Sequence, residues 1–588
     1  MRVPRERYLV LWDRLRGGSA GLLVLAVGVG AGASLGAVGF RWLVSAATGL
    51  FSGAADYTAH PGAAHPWLPW AGRWFVVAAP VVAGLLYGPL IHLGAREARG
   101  HGVPEVMYAV TARGGRIRPR VAIVKSVASA LCIGGGGSVG REGPIVQVGS
   151  ALASAAGQAL RLPDSRLRLL VGAGAAGAVS ATFNAPIAAV FFSLELILAD
   201  FAVESFAAVV LASVTSSAIS RALLGDHPFL ALPAFHVVSP VEYVWYAALG
   251  LVAAIVGVGF SRVLYLVEDV CDRCWRGPEW LRPAAGGLAL GGILLWLPEL
   301  YGVGYPVLDR AVAGGYPLVL LLLLLVGKML AASLTIGIGG SGGVFGPTLF
   351  IGAMLGAAAG DAAHAVMPGL TAPPGAYALV GMGAVFAGAA RTPITAVVMI
   401  FELTGEYSVV LPLMVAVALA AGASRLVSAD TIYTRKLHRR GIDLGRDHAP
   451  ARPGLAVPTV DAVAGALPTA LPADAGLAEV AERFAAGGHD ALPVVDGRGR
   501  LRGVVPAVEV ERALRDDAGG VTAADLASTV PVLRAGQSLD EALDAVVRAG
   551  GLGLPVQRDD RLVGWVTHRD ILAAVTTGPQ PRAGAPGP

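Results

Sequence analysis

The first half of the chain recurs in its second half, and this repeat limits the possible folds more than any other feature. Residues 140–157, GREGPIVQVGSALASAAG, align with residues 343–360, GVFGPTLFIGAMLGAAAG, so that five glycine or proline positions recur 203 residues later. A second pair of segments, 184–195 and 391–402, recurs at an offset of 207 and in both copies places a proline nine residues before a glutamate. Because two separate motifs recur at nearly one offset, we predict two copies of one structural unit.

Long apolar runs place both copies in a membrane. The chain is 55% hydrophobic and 15% charged, which is too apolar for a soluble protein. Runs such as residues 316–334 are long enough to cross a hydrocarbon core of about 30 Å. We therefore predict an all-α multi-pass membrane region at 21–440, with repeats at about 21–225 and 240–440. Similarity alone leaves open whether the repeats are inverted, as those of transporters often are.

Charge indicates how the protein is oriented in its membrane. Residues 1–20 lack a cleavable signal pattern and are predicted to be a cytoplasmic N-terminal segment. The basic segments 111–120 and 434–441 indicate the cytoplasmic side by their excess of Lys and Arg. We expect both termini in the cytoplasm and a bacterial inner membrane as the location. A net charge of +4 fits this asymmetry and gives no reason to expect nucleic-acid binding.

The sequence contains little that indicates an enzyme or a metal site. Cys271 and Cys274 form a lone C-x-x-C, which is either a redox pair, half of a zinc site or a pair of incidental loop cysteines. We favour the last interpretation because no second pair or histidine cluster accompanies it. An intramembrane metalloprotease would need H-E-x-x-H, which does not occur. The chain is predicted to be neither an enzyme nor a metal protein, and a cation transporter is disfavoured because the helix breaks supply no rings of carboxylates.

Glycine-rich breaks followed by proline mark three helix N-termini. They are GHGVP at 100–104, GREGP at 140–144 and GVFGP at 343–347. Proline is tolerated at a first helical position, since its missing N–H would have no partner there. The free N–H groups of such an end favour an anion, and irregular backbone survives in a membrane only where it is packed in protein or lines a cavity. The alternative is that these glycines only let helices pack closely.

With these motifs the chain resembles the CLC family of chloride channels and chloride/proton antiporters over residues 20–440. The resemblance implies inverted repeats with broken helices and a lipid-embedded homodimer with one anion path per subunit. It further implies chloride and other small anions as substrates, with no cofactor required. The implied anion-binding residues are His101, Gly102, Val103, Gly140, Arg141, Gly143, Val344, Phe345 and Tyr433.

Glu142, within GREGP, matches the gating glutamate of that family. Its carboxylate would compete with chloride for the positive potential of the helix N-termini. It would leave the anion site when it is protonated or displaced by chloride. The alternative is a structural salt bridge between Glu142 and Arg141, although neighbouring side chains on a turn usually diverge. Arg141, and likewise Lys125, would instead add positive potential to the anion path.

Two positions depart from the family pattern. His101 replaces a serine and either donates an N–H to the anion or turns away to cap a loop. Leu196 stands where many antiporters carry a proton-accepting glutamate. Asp200 is the candidate substitute relay nearby, and the alternative, which its place near a helix end favours, is a solvated residue. We therefore predict a channel-like conductance, with a chloride/proton antiporter using a non-standard inner proton path as the alternative. Glu195 and its repeat partner Glu402 are predicted to be structural.

The C-terminal residues form a second domain that resembles a tandem pair of CBS domains. The two units are predicted at 455–515 and 520–576, followed by a disordered tail at 577–588. In the family, a T-x-x-D sequence after the last strand contacts the ribose of an adenine nucleotide, and Thr567 and Asp570 match it. The first unit has Pro506 to Glu509 in that place, so the pair is either a nucleotide sensor or a structural dimerisation element.

Overall fold

The computed structural model describes residues 19–225, 236–442 and 459–577, apart from residues 488, 517–519, 538, 559 and 560. The predicted N-terminal segment up to residue 18 and the predicted disordered tail after residue 577 lie outside the described residues. The chain divides into two compact units, an all-helical one before residue 443 and a mixed α/β one after residue 458. These two units agree with the predicted fold class.

Among its described residues, the helical unit contains two sets of eight α-helices followed by one short helix. The first set is α1 Ser19–Ser52, α2 Phe75–Gly94, α3 Val103–Ala112, α4 Arg120–Gly134, α5 Glu142–Ala159, α6 Asp164–Phe183, α7 Pro186–Phe192 and α8 Val203–Leu224. The second set is α9 Glu242–Cys274, α10 Arg282–Trp296, α11 Tyr305–Val312, α12 Leu318–Gly337, α13 Phe345–Val366, α14 Pro374–Ala390, α15 Pro393–Thr404 and α16 Val410–Val427. Helix α17, Thr434–His438, ends the unit.

Each helix of the first set has a counterpart in the second, from α1 with α9 to α8 with α16. The sequence alignment that predicted the repeat covered only α5 with α13 and α7 with α15. Seven helices among the described residues are long and apolar enough to cross a membrane. Others, such as α3, α7, α11 and α15, are too short to do so and are the broken helices of the predicted fold.

Prolines begin several of these short helices. Pro186 and Pro393 are the first residues of α7 and α15. Pro144 and Pro347 lie two residues further in than the first helical position that the sequence analysis predicted, at the third residue of α5 and of α13. The physical reason is the same, because N–H groups throughout the first helical turn lack intrahelical partners.

Glycines let α5 pack against α6, and α13 against α14, at backbone contact. A Cβ atom at Gly149 would lie 2.4 Å from the carbonyl oxygen of Gly174, and the counterpart pair Gly352 and Gly381 shows the same 2.4 Å approach. No larger residue fits at these crossings. Close packing therefore explains the glycines at these crossings, whereas those in the loops before α3, α5 and α13 serve the site described below.

The C-terminal unit contains two similar three-stranded sheets, ordered β1-β2-β3 and β4-β5-β6. In each, a parallel pair joins the first two strands and an antiparallel pair joins the last two. The first half comprises β1 Leu471–Pro472, α19 Leu477–Gly487, β2 Ala491–Val495, β3 Leu501–Pro506, α20 Ala507–Arg515 and α21 Ala523–Leu526. Helix α18 Val460–Val463 precedes them in the chain and packs on the second half. The second comprises β4 Leu533–Arg534, α22 Leu539–Arg548, β5 Leu554–Arg558, β6 Arg561–Val566 and α23 His568–Thr577.

Candidate functional site

The loops before α3, α5 and α13 meet inside the helical unit and are joined by backbone hydrogen bonds. Gly140 and Gly343 exchange two of them, with N···O distances of 2.8 and 2.6 Å. The N–H of Gly100 donates to the carbonyl oxygen of Gly340 at 2.9 Å. The predicted convergence of three helix N-termini is therefore present in the structure, and two of them come from counterpart positions of the repeats.

Glycine is required where these loops cross. A Cβ atom at Gly143 would lie 2.2 Å from the carbonyl oxygen of His101, and one at Gly343 would lie 2.6 Å from the amide nitrogen of Gly143. A Cβ atom at Gly140 would lie 1.9 Å from a carboxylate oxygen of Glu142. Side chains at these positions would separate the helix ends or expel the carboxylate.

The Glu142 carboxylate lies at this meeting point and is 3% exposed. Its Oε2 accepts a hydrogen bond from the N–H of Gly346, in the first turn of α13, at 3.2 Å. Its Oε1 accepts a hydrogen bond from the hydroxyl of Tyr305. The side chain thus occupies a position where N–H and O–H donors converge, as an anion would.

Tyr305 is a residue that the sequence analysis missed. It begins α11, and the preceding loop, GVGYP at 302–306, is the repeat counterpart of GHGVP at 100–104. Gly102 and Gly304, which precede the two helices, have φ angles of 80° and 89°, in the left-handed region that glycine adopts readily. Extending the repeat alignment by this one motif would have identified the fourth loop.

Two buried lysines at counterpart positions hold these loops. Lys125 donates to the carbonyl oxygens of Ala98 and Gly100 at 2.9 and 2.7 Å. Lys328 donates to those of Gly302 and Val303 at 3.0 and 3.1 Å. The positive potential that the sequence analysis assigned to Lys125 thus accompanies a direct structural role in fixing the loop before α3.

A narrow cavity adjoins Glu142. It measures about 10 Å³, which is the lower limit for a single water molecule. Phe345 packs on Phe386 and Phe183 beside it, with ring centroids 4.6 and 5.3 Å apart. The lining residues are Val103, Glu142, Gly143, Val146, Val179, Phe183, Phe192, Phe345 and Tyr433. Four residues predicted to bind the anion, Val103, Gly143, Phe345 and Tyr433, thus lie together beside the predicted gate.

A larger cavity of about 410 Å³, here called the vestibule, includes Tyr305 in its wall. Arg41, Asp56 and Arg141 also line it. The Arg141 guanidinium carbon lies 5.1 Å from the centre of the Tyr305 ring. Among the described residues of the wall, two arginines against one aspartate give the vestibule a positive bias, which concentrates anions near Glu142.

His101 is 1% exposed and lies between two tyrosines. Its Nε2 is 3.5 Å from the Tyr265 hydroxyl, and its ring centroid is 6.1 Å from that of Tyr433. Its Nδ1 has no hydrogen-bond partner among the described residues. The imidazole thus turns toward Tyr265 on α9, and its direct contact with an anion stays a prediction, as does the role of the other anion-binding residues.

Glu195 and Glu402 cap helices of the opposite repeat. Glu402 accepts from the N–H groups of Ile187 and Ala188 in α7, at 3.0 and 2.6 Å. Glu195 accepts from the N–H groups of Ile394 and Thr395 in α15, at 3.3 and 2.9 Å. The hydrogen bonds predicted for both glutamates where helices meet are present, and this reciprocity is what two-fold-related repeats produce. That the two glutamates have no part in transport stays a prediction.

The predicted proton relay, Asp200, follows the turn that contains Leu196. Leu196 is buried in the π-helical turn Ser193–Leu198 that continues α7. Asp200 follows that turn and accepts from the N–H of Ala202 at 3.0 Å and from the Ser205 hydroxyl at 2.5 Å. Its carboxylate therefore stabilises the start of α8, and its function as a relay stays a prediction.

Thr567 and Asp570 form a capping box at the start of α23. Asp570 Oδ2 accepts from the backbone N–H and the hydroxyl of Thr567 at 2.8 and 2.7 Å, and the Asp570 N–H donates back to Thr567 Oγ1 at 3.3 Å. In the first unit, Glu509 pairs with Arg512 at 2.9 Å. The T-x-x-D sequence thus has a structural role visible in the fold, independent of any nucleotide.

Comparison with known proteins gives the same two-part description. A family model described as voltage gated chloride channel matches residues 83–425, and the CBS domain model matches residues 467–516 and 523–577. The chain is 33% identical over 434 residues to a ClcB-like chloride channel protein of Ralstonia nicotianae, covering 72% of this chain and 98% of that protein. It is 33% identical over 363 residues to the H(+)/Cl(-) exchange transporter ClcA of Vibrio parahaemolyticus, covering 60% and 76%.

Solved structures are similar over the same region. A slow cyanobacterial Cl-/H+ antiporter superposes with a TM-score of 0.62 at 25% identity, covering 71% of this chain and 97% of that one. A eukaryotic CLC transporter covers 95% of this chain and 98% of that one with a TM-score of 0.59, and at 21% identity it supports the fold alone. The resemblance inferred from the motifs is confirmed.

Proposed function

The chain belongs to the family of voltage gated chloride channels, and on that premise we propose that it moves chloride across a membrane in exchange for protons, with Glu142 as the gate. One observation carries the proposal. The Glu142 carboxylate lies between the Gly346 N–H and the Tyr305 hydroxyl, where the helix N-termini converge. A tethered carboxylate in an anion position can be replaced by a free anion, and it can carry a proton when it leaves.

Exchange is favoured over the channel-like conductance predicted from Leu196. A relative and a structural neighbour that align with the helical unit are named as chloride/proton exchangers. Leu196 implies a non-standard inner proton path, with Asp200 or water as the carrier.

The remaining features of the proposal follow from the sequence. The protein works as a homodimer in lipid, with one path per subunit and both termini in the cytoplasm. Chloride is the principal substrate, and other small monovalent anions share the path. A bacterial inner membrane is the proposed location.

The proposal is tested with purified protein in liposomes under crossed chloride and proton gradients. We expect the reversal potential to depend on both gradients, and a chloride gradient to drive protons uphill, because each released anion is matched by proton movement through Glu142. A reversal potential that follows the chloride gradient alone would identify a channel and reinstate the conductance predicted from Leu196.

For the C-terminal unit, we expect Asp570→Ala to destabilise the fold whether or not a nucleotide binds. Loss of the capping box should lower the free energy of unfolding by about 1 kcal/mol. Thermal unfolding of the full-length protein, with adenine nucleotide present and absent, measures this effect. Asp525→Ala is the matched control, because Thr522 and Asp525 form the same box before α21. If only Asp570→Ala abolishes a stabilisation by nucleotide, Asp570 also contributes to a nucleotide site.

A further inference from the structure

Tyr305 connects the vestibule with the gate. It is partly exposed and lines the vestibule, and its hydroxyl donates to Glu142 Oε1. Its counterpart in the first repeat is Val103, which lines the narrow cavity and has no hydroxyl. The repeats therefore differ chemically at equivalent positions, and the hydroxyl is found on the vestibule side of the gate.

We propose that Tyr305 is a latch that holds the ionised Glu142 carboxylate in the anion position. This inference deepens the proposed function and rests on Glu142 being the gate. A hydrogen bond from a hydroxyl to a carboxylate is charge-assisted and favours the ionised form over the protonated one. Protonation of Glu142 weakens the bond, so the latch opens when the gate takes up a proton from the vestibule.

The surrounding residues fix Tyr305 in place for this role. Lys328 holds the two carbonyl groups just before it, at Gly302 and Val303. A Cβ atom at Gly304 would lie 3.1 Å from the Phe350 ring, so the loop is closely packed on α13. The tyrosine is therefore held by the loop on one side and packed against the Arg141 guanidinium on the other.

Several charged and titratable groups face the latch, and all of them contribute to its response to pH. Arg141 belongs to the loop that carries Glu142, and Lys328 on α12 attracts the carboxylate. The others are Arg41 on α1, which interacts with Arg141 and Tyr305, Asp56 in the vestibule wall, and Tyr433 beside the cavity. A variant that lacks only the Tyr305 hydroxyl leaves all these groups unchanged. The effect of the hydroxyl on the pH response can therefore be measured separately.

The test is Tyr305→Phe in liposomes, with chloride flux measured as a function of vestibule-side pH. We expect flux at neutral pH to rise several-fold. The pH of half-maximal flux should rise by about one unit, because the carboxylate loses one donor that favours its ionised form. A structural disturbance alone would reduce flux and leave the pH of half-maximal flux unchanged.

Tyr301→Phe is the matched control. Tyr301 lies before the same loop, is 2% exposed, and its hydroxyl donates to the carbonyl oxygen of Gly134 at 2.6 Å. We expect this variant to keep the wild-type pH profile. In a Glu142→Ala background, Tyr305→Phe should have no further effect on the pH profile, because the carboxylate that accepts the Tyr305 hydrogen bond is absent.

The proposal is overturned if Tyr305→Phe keeps the wild-type pH profile, if Tyr301→Phe shifts it equally, or if the shift persists in Glu142→Ala. Where Tyr305→Phe does not fold, incorporation of 3,5-difluorotyrosine at position 305 replaces it. That more acidic hydroxyl is a stronger donor and should move the pH of half-maximal flux downward. Absence of proton transport in the wild type would refute exchange but not the latch, because the pH profile of chloride flux is measured in either case.

Discussion

Glu142→Gln should abolish proton transport and make chloride flux independent of pH. Glutamine has nearly the same shape as glutamate but neither a charge nor a titratable proton. It therefore competes weakly for the helix N-termini that attract an anion. We expect the loss of proton movement to be complete, because no proton carrier then lies in the anion position. Parallel measurements of chloride and proton flux in liposomes test this expectation.

Glu204→Gln is the control for this experiment. Glu204 is exposed in the first turn of α8, outside the site, and the variant should transport both ions like the wild type. If Glu142→Gln transports chloride with the wild-type pH dependence, the gate is a different residue. That result would also refute the latch proposed for Tyr305.

Removing either cross-repeat cap should strongly destabilise the helical unit. Glu402→Gln replaces a charged acceptor of two backbone N–H groups with a neutral amide. Hydrogen bonds to charged groups contribute about 1.5–3 kcal/mol each, and partial exposure reduces this, so we expect a loss of about 2 kcal/mol. The loss of stability is measured as a lower melting temperature of the detergent-solubilised protein. The melting temperature is obtained from the decrease of the monodisperse fraction on heating.

Glu195→Gln provides a matched experiment at the counterpart position. Glu195 additionally accepts a hydrogen bond from the Thr395 hydroxyl at 2.7 Å. The loss of stability in Glu195→Gln should therefore be at least as large as that in Glu402→Gln. Glu204→Gln again serves as the neutral control. If both variants melt like the wild type, the caps contribute nothing to stability and the two glutamates have another role.

Much of the site could be predicted because it depends on short-range chemistry. A glycine-rich stretch followed by proline predicts a helix N-terminus wherever it occurs, and the loops before Val103, Glu142 and Phe345 do meet in the structure. The repeat likewise predicted counterpart roles for Glu195 and Glu402. Local sequence was sufficient here because caps and helix starts follow from a few neighbouring residues.

Prediction failed where a role depended on a distant partner. Tyr305 is 163 residues from Glu142 in the sequence, and nothing near it indicates that its hydroxyl reaches a carboxylate. His101 could be placed in the GHGVP loop, but its orientation toward Tyr265, 164 residues away, could not. Asp200 was chosen by helical spacing; the structure adds that its carboxylate caps α8, and its function as a relay stays a prediction.

The sequence by itself determined that this protein is a repeated membrane unit with broken helices, that Glu142 stands at a helix N-terminus, and that a CBS pair follows. These properties follow from composition, period and the conformational limits of glycine and proline, which act within a few residues. Only the tertiary structure decided that Gly346 and Tyr305 of the second repeat hold the carboxylate of the first, and that each repeat caps the helices of the other. The physical reason is that these hydrogen bonds form between groups 163 to 214 residues apart, which come together only when the two repeats pack against each other.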